Sequence, residues 1–206
     1  MGIRAVIWDM GGVLVRTEDQ TPRQQLAERL GVSLDELYHL VFGSERALQT
    51  SLGKKTTRQH WSEVGQALGL SSPEEISGIE RDFFAGDRID MELVDYIRGL
   101  RPRYKTGLLS NAYDDLRHML ERVWGIADAF DDLVISAEVG VVKPDPAIYR
   151  LALERLGVRP GEAVFVDDFA RNVAAAQAEK MHAIHFQNPA QARQELEQLL
   201  QASDAQ

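Results

Sequence analysis

Four short stretches of this sequence end an apolar run with polar side chains of the kinds that do chemistry. They read AVIWDMGGVLV, KTGLLSNAYDD, VVKPDPAIY and EAVFVDDFARNV, at residues 5–15, 105–115, 141–149 and 162–173. Their chemically useful side chains are carboxylates, a hydroxyl, an amide and an ammonium: Asp9, Ser110, Asn111, Lys143, Asp167 and Asp168. Such groups together can hold a divalent cation and an anionic ester.

The first stretch ends in an acid that is followed by two glycines. Asp9 closes an apolar run, and Gly11 and Gly12 come shortly after it. Glycine lets the backbone approach a ligand closely, so this carboxylate is predicted to stand open beside accessible main chain. A side chain that only caps a turn would explain Asp9 equally well on its own.

The second and third stretches supply groups that bind anions. Ser110 and Asn111 leave an apolar run just before a predicted helix, where hydroxyl, amide and helix N–H groups can form a cradle. Ordinary helix capping explains this pair as well. Lys143 precedes Pro144, which restricts its backbone, and could neutralise a phosphate and a carboxylate together. The alternative for this lysine is a solvated surface position.

The fourth stretch places two acids at the end of a strongly apolar run. Burying Asp167 and Asp168 together is costly unless a cation or hydrogen bonds compensate for their charge. Hard oxygen ligands of this kind suit Mg²⁺. Asn172 follows Asp168 by about one helical turn and could steady the shell around the metal. Helix capping needs only one acid, so the pair favours a metal site.

The elements that must position these groups alternate between strands and helices. Strands are predicted at residues 4–8, 105–109, 133–136, 163–166 and 183–186. Helices are predicted at residues 91–100, 114–123, 146–156, 171–180 and from about 190. This alternation predicts an α/β fold with a Rossmann-like parallel sheet and helices on both faces. Ligands bind beyond the carboxyl ends of such strands, where all four stretches end.

A long segment between the first two strands has only helical spacing. Leu26, Leu30, Leu34 and Leu37 recur at helical intervals, and Ser72-Pro73 is typical of a helix start. We therefore predict that residues 16–88 form an inserted all-helical cap, and that residues 1–15 and 89–206 form the catalytic core.

Composition narrows the classes of partner. The formal charge of −9 argues against nucleic acid and against an anionic membrane surface as partners. Cysteine is absent, which excludes disulfides, zinc thiolate sites, iron–sulfur clusters and cysteine nucleophiles. No apolar run approaches the roughly 20 residues that a membrane span needs, and no signal-peptide pattern opens the chain. A cytoplasmic location is the expectation, and the choice between monomer and homodimer stays open.

The order of these motifs resembles that of the haloacid dehalogenase superfamily. The resemblance covers the whole chain through DMGGV, SN, KPD and DDxxxN, each after a predicted strand or before a helix. Within the superfamily, DMGGVLV, KPDPAIY and VFVDDFARN look like the branch of bacterial glucose-1-phosphate phosphatase and the N-terminal phosphatase domain of soluble epoxide hydrolase. The cap stretch around residues 53–56 also resembles that branch.

The resemblance implies a metal-dependent hydrolase. Asp9 would be the nucleophile, with its other oxygen on Mg²⁺. The backbone carbonyl of Gly11 and the carboxylate of Asp168 would be further ligands, and Asp167 would be a helper beside them.

The resemblance also implies a site for the phosphoryl group. Gly12, Ser110 and Asn111 would hold it, and Lys143 would offset its charge and that of Asp9. The predicted reaction is hydrolysis of a small phosphorylated metabolite, with sugar phosphates as one candidate, through an aspartyl-phosphate.

One position departs from the pattern of most phosphatases in this superfamily. They carry a second Asp where this chain has Gly11, and that Asp protonates the leaving oxygen and later activates water. Such general acid–base help is worth about 10²–10⁴-fold in rate. The glucose-1-phosphate phosphatase branch also shows Gly here, so the departure alone does not predict an inactive protein.

Two alternatives follow from this departure. A 2-haloacid dehalogenase also lacks the second Asp, but it needs no metal, has an aromatic residue at the position of Gly11 and leaves the acid pair unexplained. A non-catalytic binding protein would retain the fold alone.

The predicted cap would open and close over the site and choose the substrate. Its candidate contacts with substrate are Arg46, Lys54, His60 and Trp61. Exposed charge, or packing for Trp61, explains each of them equally well.

Overall fold

The computed structural model describes residues 2–204 of the chain. Its strands are β1 (Ala5–Trp8), β2 (Val15–Thr17), β3 (Asp87–Ile89), β4 (Lys105–Ser110), β5 (Asp132–Ile135), β6 (Ala163–Asp167) and β7 (His182–His185). Its α-helices are α1 (Thr21–Leu30), α2 (Leu34–Tyr38), α3 (Glu45–Ser51), α4 (Thr57–Ala67), α5 (Pro73–Phe84), α6 (Met91–Leu100), α7 (Leu116–His118), α8 (Ser136–Val139), α9 (Pro146–Leu156), α10 (Ala170–Ala178) and α11 (Pro189–Asp204).

Five strands form a parallel sheet in the order β5-β4-β1-β6-β7. The predicted α/β class is confirmed, and each of these strands begins within one residue of its predicted start. Trp8 at the end of β1 is aligned with Leu108 on β4 and with Val166 on β6. The carboxyl ends of β4 and β6 therefore flank the residue that follows β1. This is the switch point of the sheet, because β4 and β5 lie on one side of β1 whereas β6 and β7 lie on the other.

The sheet is buried on both faces, which explains why its strands are continuously apolar rather than alternating. All four residues of β1 are buried. Ile7 packs in a cluster with Tyr149 of α9 and Phe165. Trp8 packs in the opposite layer with residues of α6 such as Leu93. Because the core packs on both faces of β1, the strand is held in place, and so is Asp9, which directly follows it.

Helices α1–α5 lie between β2 and β3 in the chain and have a hydrophobic cluster of their own. We call residues 18–86 the helical insertion. Three helix starts in it carry reciprocal capping boxes, at Ser33, Thr56 and Ser72, and the last of these is the helix start predicted at Ser72-Pro73. It approaches the core closely at Gly53, where a Cβ atom would lie 2.0 Å from the carbonyl oxygen of Ala137.

Three details differ from the predictions. The ends of the segment predicted as all-helical form the antiparallel pair of β2 and β3, which is too short to show a strand period. The helix predicted at residues 114–123 is α7 followed by a π-helical turn, Met119–Val123. The third parallel strand stops at Ile135 rather than at Ser136, because α8 begins at Ser136, whose buried hydroxyl bonds both backbone groups of Ala112.

Within residues 2–204 the structure has no helix both long and apolar enough to span a membrane.

Candidate active site

Asp9 lies at the centre of the site, directly after β1. Its N–H donates to the carbonyl oxygen of Val166 (2.9 Å), which fixes its backbone to β6. The residue is only 5% exposed. Its Oδ1 accepts hydrogen bonds from the N–H of Met10 (2.7 Å) and from the ammonium of Lys143 (2.7 Å). One carboxylate oxygen is therefore held by protein donors, and the geometry of the carboxyl group is fixed.

Lys143 joins two carboxylates. Its Nζ lies 2.7 Å from Asp9 Oδ1 and 2.7 Å from Asp167 Oδ2, and the residue is 3% exposed. A solvated surface lysine is therefore the wrong interpretation of this position. A buried ammonium between two carboxylates offsets part of their charge and keeps them close together.

Asp167 is fully buried and satisfied by protein donors. Its Oδ1 accepts from the N–H of Phe169 (2.7 Å), and both oxygens accept from the side-chain amide of Asn172 (3.0 Å each). Tyr149 donates its hydroxyl hydrogen to the carbonyl oxygen of Asn172 (3.1 Å). Asn172 was predicted to support the metal shell, and the contact that it makes is with Asp167 rather than with Asp168.

Asp168 has the opposite character. Its Oδ1 is buried and has no hydrogen-bond partner within residues 2–204. Carboxylate oxygens of Asp9, Asp167 and Asp168 lie within 4.8 Å of one another. An orphaned buried oxygen beside two further carboxylates is a costly arrangement that a hard cation would relieve. The residues present therefore fit Mg²⁺, with Asp168 and Asp9 as the carboxylates that still have oxygens to offer.

The pKa shifts agree with this need for positive charge. Burial raises the pKa of Asp9 to about 7, and the charge of Asp167 adds to the rise, although Lys143 acts in the opposite direction. Burial, followed by the charge of Asp167, also raises the pKa of Asp168. A bound cation favours the charged form of both groups.

The two glycines after Asp9 differ sharply. Gly12 has a φ of +78°, and a Cβ atom there would lie 2.1 Å from Asp168 Oδ2. Only glycine therefore allows Asp168 to occupy its observed place. Gly11 has no heavy atom within 4 Å of its hypothetical Cβ, so the position of the missing Asp is open space.

Ser110 and Asn111 reach the same edge of the sheet from β4. Ser110 is the last residue of the strand and is 4% exposed. The side-chain amide of Asn111 makes two hydrogen bonds with the backbone of Lys143. Its Nδ2 donates to the carbonyl oxygen of Lys143 (2.9 Å), and its Oδ1 accepts from the N–H of Lys143 (2.7 Å). The structure thus shows Asn111 holding the backbone of Lys143 in place, and contact of Asn111 with a phosphoryl group stays a prediction.

The candidate cap residues have different surroundings. His60 is buried, and its Nε2 lies 3.2 Å from the hydroxyl of Tyr113. Trp61 packs edge-on against Phe83 and Phe84 inside the insertion.

The two cationic candidates on the insertion lie at its surface. The Arg46 guanidinium donates to the carbonyl oxygen of Glu63 (3.4 Å), and Arg46 lines a cavity of about 420 Å³ with Lys55. Lys54 is exposed.

Sequence reasoning missed the residues that join the insertion to the core. Tyr113 donates its hydroxyl hydrogen to the carbonyl oxygen of Val41 (2.6 Å). Asp114 Oδ1 accepts from both the N–H and the hydroxyl of Thr57 (2.7 Å each), at the start of α4. The available signal was position: both residues follow the Ser-Asn pair at the end of β4.

Comparison with known proteins decides the family. A family model described as haloacid dehalogenase-like hydrolase matches residues 3–179. The chain belongs to this family. The haloacid dehalogenase resemblance and the hydrolase class predicted from the motifs are confirmed.

Several relatives in the haloacid dehalogenase-like family align over almost the whole chain. Bifunctional epoxide hydrolase 2 of Rattus norvegicus is 29% identical over 217 residues, covering 97% of this chain and 39% of that protein. This chain therefore spans about two fifths of that relative. A sesquiterpene phosphatase of Aspergillus oryzae is 29% identical, with 96% of each protein covered. A D-ribitol-5-phosphate phosphatase of Bacteroides thetaiotaomicron is 28% identical over 96% of this chain and 98% of that protein.

Solved structures share the fold. A haloacid dehalogenase family enzyme from Bacteroides thetaiotaomicron, in complex with magnesium and inorganic phosphate, has a TM-score of 0.76 at 22% identity, covering 91% of this chain and 96% of that one. An L-2-haloacid dehalogenase from Xanthobacter autotrophicus has a TM-score of 0.64 at 21% identity, covering 88% of this chain and 76% of that one.

Proposed function

We propose that this chain is a Mg²⁺-dependent phosphatase that hydrolyses a small phosphorylated metabolite through an aspartyl-phosphate on Asp9. The observation that best supports this proposal is the cluster of carboxylates at the carboxyl ends of β1 and β6. Oxygens of Asp9, Asp167 and Asp168 lie within 4.8 Å of one another, and Lys143 lies 2.7 Å from two of these carboxylates. This arrangement suits an anionic ester that needs positive charge before an anion can attack it.

Asp9 and Asp168, with the backbone carbonyl of Gly11, would hold the magnesium ion. Bound there, it would supply charge neutralisation for the phosphate and for the attacking carboxylate. Asp167 takes a different role, because its oxygens already accept from Lys143, Asn172 and the backbone of Phe169. It fixes the lysine that faces the substrate.

The reaction needs two displacements at phosphorus. An Asp9 oxygen attacks in line, a bond from that oxygen to phosphorus forms, and the ester bond to the leaving oxygen breaks. Water then attacks the phosphoryl group, which releases inorganic phosphate and regenerates the Asp9 carboxylate. Lys143 balances the charge of Asp9 in both steps. Because Gly11 offers no acid, the leaving oxygen departs with its electron pair and takes its proton from solvent.

The relatives support this reaction class. Two whole-length relatives are phosphatases by name, one for a sesquiterpene and one for D-ribitol 5-phosphate. A structural neighbour was crystallised with magnesium and phosphate. The two named substrates differ widely in polarity, so a sugar phosphate substrate for this chain stays a prediction.

The helical insertion lies within the predicted cap, residues 16–88, and is proposed to act as that cap. Two of its contacts with the core, Thr57 to Asp114 and Val41 to Tyr113, lie on the loop that follows β4. That loop begins at the predicted phosphoryl site. Movement of the insertion about β2 and β3 would therefore open or close the entrance to Asp9.

The test is hydrolysis of p-nitrophenyl phosphate with Mg²⁺, with EDTA and with the variant Asp9→Asn. We expect wild-type activity that EDTA abolishes and that the variant lacks. Equal release of p-nitrophenol by wild type and Asp9→Asn would refute the phosphatase proposal. Activity on 2-chloropropionate that resists EDTA would instead identify a dehalogenase, and retained ligand binding without turnover would identify a binding protein.

A further inference from the structure

Two phenylalanines of the helical insertion are exposed side by side. Phe42 is 51% exposed and Phe84 is 38% exposed, and their ring centroids are 6.3 Å apart. Both rings also contact the buried ring of Phe83, at 5.5 and 5.1 Å. The buried partner holds both rings in place from below while their outer faces remain in water. Paired exposed rings of this kind offer an apolar surface on which an apolar group can pack.

A contact of the neighbouring residue places the turn that carries Phe42 beside the catalytic core. The carbonyl oxygen of Val41 accepts a 2.6 Å hydrogen bond from the hydroxyl of Tyr113. Tyr113 lies three residues after Ser110, at the carboxyl end of β4. The turn that carries Phe42 therefore borders the loop that begins at the predicted phosphoryl site.

Phe84 lies near the end of α5, a helix that also approaches this loop. Glu80 precedes it by one helical turn and so lies on the same side of the helix. Burial, followed by the negative charge of Asp115, raises the pKa of Glu80. Asp115 belongs to the loop after β4, so this side of α5 lies close to the core. The segments that carry both exposed rings thus adjoin the loop after β4.

A third exposed ring lies on the residue that follows the carboxylate cluster of Asp9, Asp167 and Asp168. Phe169 is 52% exposed and follows Asp168, and its N–H bonds Asp167 Oδ1 at 2.7 Å. The rim of the site therefore offers aromatic surface on the core as well as on the insertion.

The chemistry at Gly11 points to the same kind of substrate. Without a general acid, the leaving oxygen must depart as an anion, which a phenol does far more readily than an alkyl alcohol. Exposed rings favour an aromatic leaving group, and the missing acid favours an acidic one. A phenolic leaving group meets both conditions, whereas a sugar alcohol meets neither.

We propose that the substrates are small aryl phosphate monoesters, whose ring packs against Phe42 and Phe84 while the phosphoryl group lies at Asp9. This inference rests on the phosphatase function proposed above. It assigns the specificity of that site to the two phenylalanines.

The test compares two substrates with good leaving groups, of which only one has a ring. We would measure kcat/KM for 2-naphthyl phosphate and for acetyl phosphate in wild type, Phe42→Leu, Phe84→Leu and the double variant. Val123→Ala is the matched control, because Val123 is an exposed apolar residue outside the insertion (57% exposed). We expect the double variant to lose roughly tenfold on 2-naphthyl phosphate, mainly through KM, and less than about twofold on acetyl phosphate. The control should change neither.

An equal loss on both substrates, or no loss on 2-naphthyl phosphate, would overturn the proposal. If the variants fold poorly, inhibition of the wild type tests whether the site prefers an aromatic group. 2-Naphthylphosphonate should inhibit about tenfold more strongly than methylphosphonate. Equal inhibition would overturn the proposal. Failure of the phosphatase function is distinct from either result, because Asp9→Asn would then match wild type on acetyl phosphate.

Discussion

The side-chain amide of Asn111 is paired with the main chain of Lys143. Asn111 Nδ2 donates to the carbonyl oxygen (2.9 Å), and its Oδ1 accepts from the N–H (2.7 Å). The lysine ammonium in turn lies 2.7 Å from Asp9. The residue directly after β4 thus fixes the position of the lysine that lies beside Asp9, and we interpret Asn111 as a positioning residue.

Replacing Asn111 by alanine should lower kcat by roughly 10- to 100-fold, because the loop that carries Lys143 loses both of its hydrogen bonds. KM should change much less. Steady-state kinetics with p-nitrophenyl phosphate separate the two parameters. Asn111→Asp keeps the acceptor for the Lys143 N–H and should retain more activity. A rise in KM at constant kcat would show instead that Asn111 mainly binds the phosphoryl group.

Adjacent glycines provide a matched pair of variants. Gly12→Ala should weaken Mg²⁺ binding at least about tenfold and destabilise the fold by about 1–2 kcal/mol, because Gly12 has a positive φ and its Cβ would meet Asp168 Oδ2. Gly11→Ala should fold like wild type, since its Cβ would meet open space. Titration of Mg²⁺ by calorimetry and thermal unfolding measure both effects. Similar behaviour of the two variants would contradict the assigned packing.

Rates should depend strongly on the acidity of the leaving group, favouring aryl and acyl phosphates over alkyl phosphates. The expected cause is the open space at Gly11, and Gly11→Asp should therefore restore alkyl ester hydrolysis, by up to about 10²–10⁴-fold. A Brønsted plot over a series of esters measures this dependence for both proteins. Gly11→Asn is the control, because it fills the space without an acid. A flat plot for wild type would reveal an acid elsewhere in the site.

Acid stability should depend on Glu162, which closes the loop before β6. Hydrogen bonds from Arg159 lower the pKa of Glu162 to about 2. Because the folded pKa lies below the ordinary value of 4.5, the stabilisation is complete above about pH 4.5 and is lost as the pH falls toward 2.

Glu162→Gln should therefore melt at a lower temperature than wild type at pH 7, and the two curves should converge near pH 2. Thermal unfolding followed by circular dichroism between pH 2 and 7 tests this. A constant difference at all pH values would show that charge is not the cause.

Sequence patterns predicted the sheet well, because buried parallel strands are continuously apolar and end at recognisable polar residues. Asp9, Ser110 and Asp168 were placed correctly at strand ends for this reason. The pair β2 and β3 was missed, since three residues per strand carry no measurable period.

The division of labour within the acid pair was implied by the family resemblance, with Asp168 as a metal ligand and Asp167 as a helper. Residue type alone did not divide them, because Asp167 and Asp168 are adjacent and chemically identical. The fold turns Asp167 inward to Lys143 and Asn172, and leaves an oxygen of Asp168 without a partner.

By itself the sequence determined the parallel sheet, the order of its strands along the chain and the identity of the reactive groups, since these depend on local hydrophobicity and residue type. Only the tertiary structure decided which of those groups meet. The bond between Asn111 and Lys143, the overlap forbidden at Gly12 and the aromatic edge of Phe42 and Phe84 all join segments that are distant in sequence. Such contacts depend on how strands and helices pack in three dimensions, and the local sequence pattern does not determine that packing.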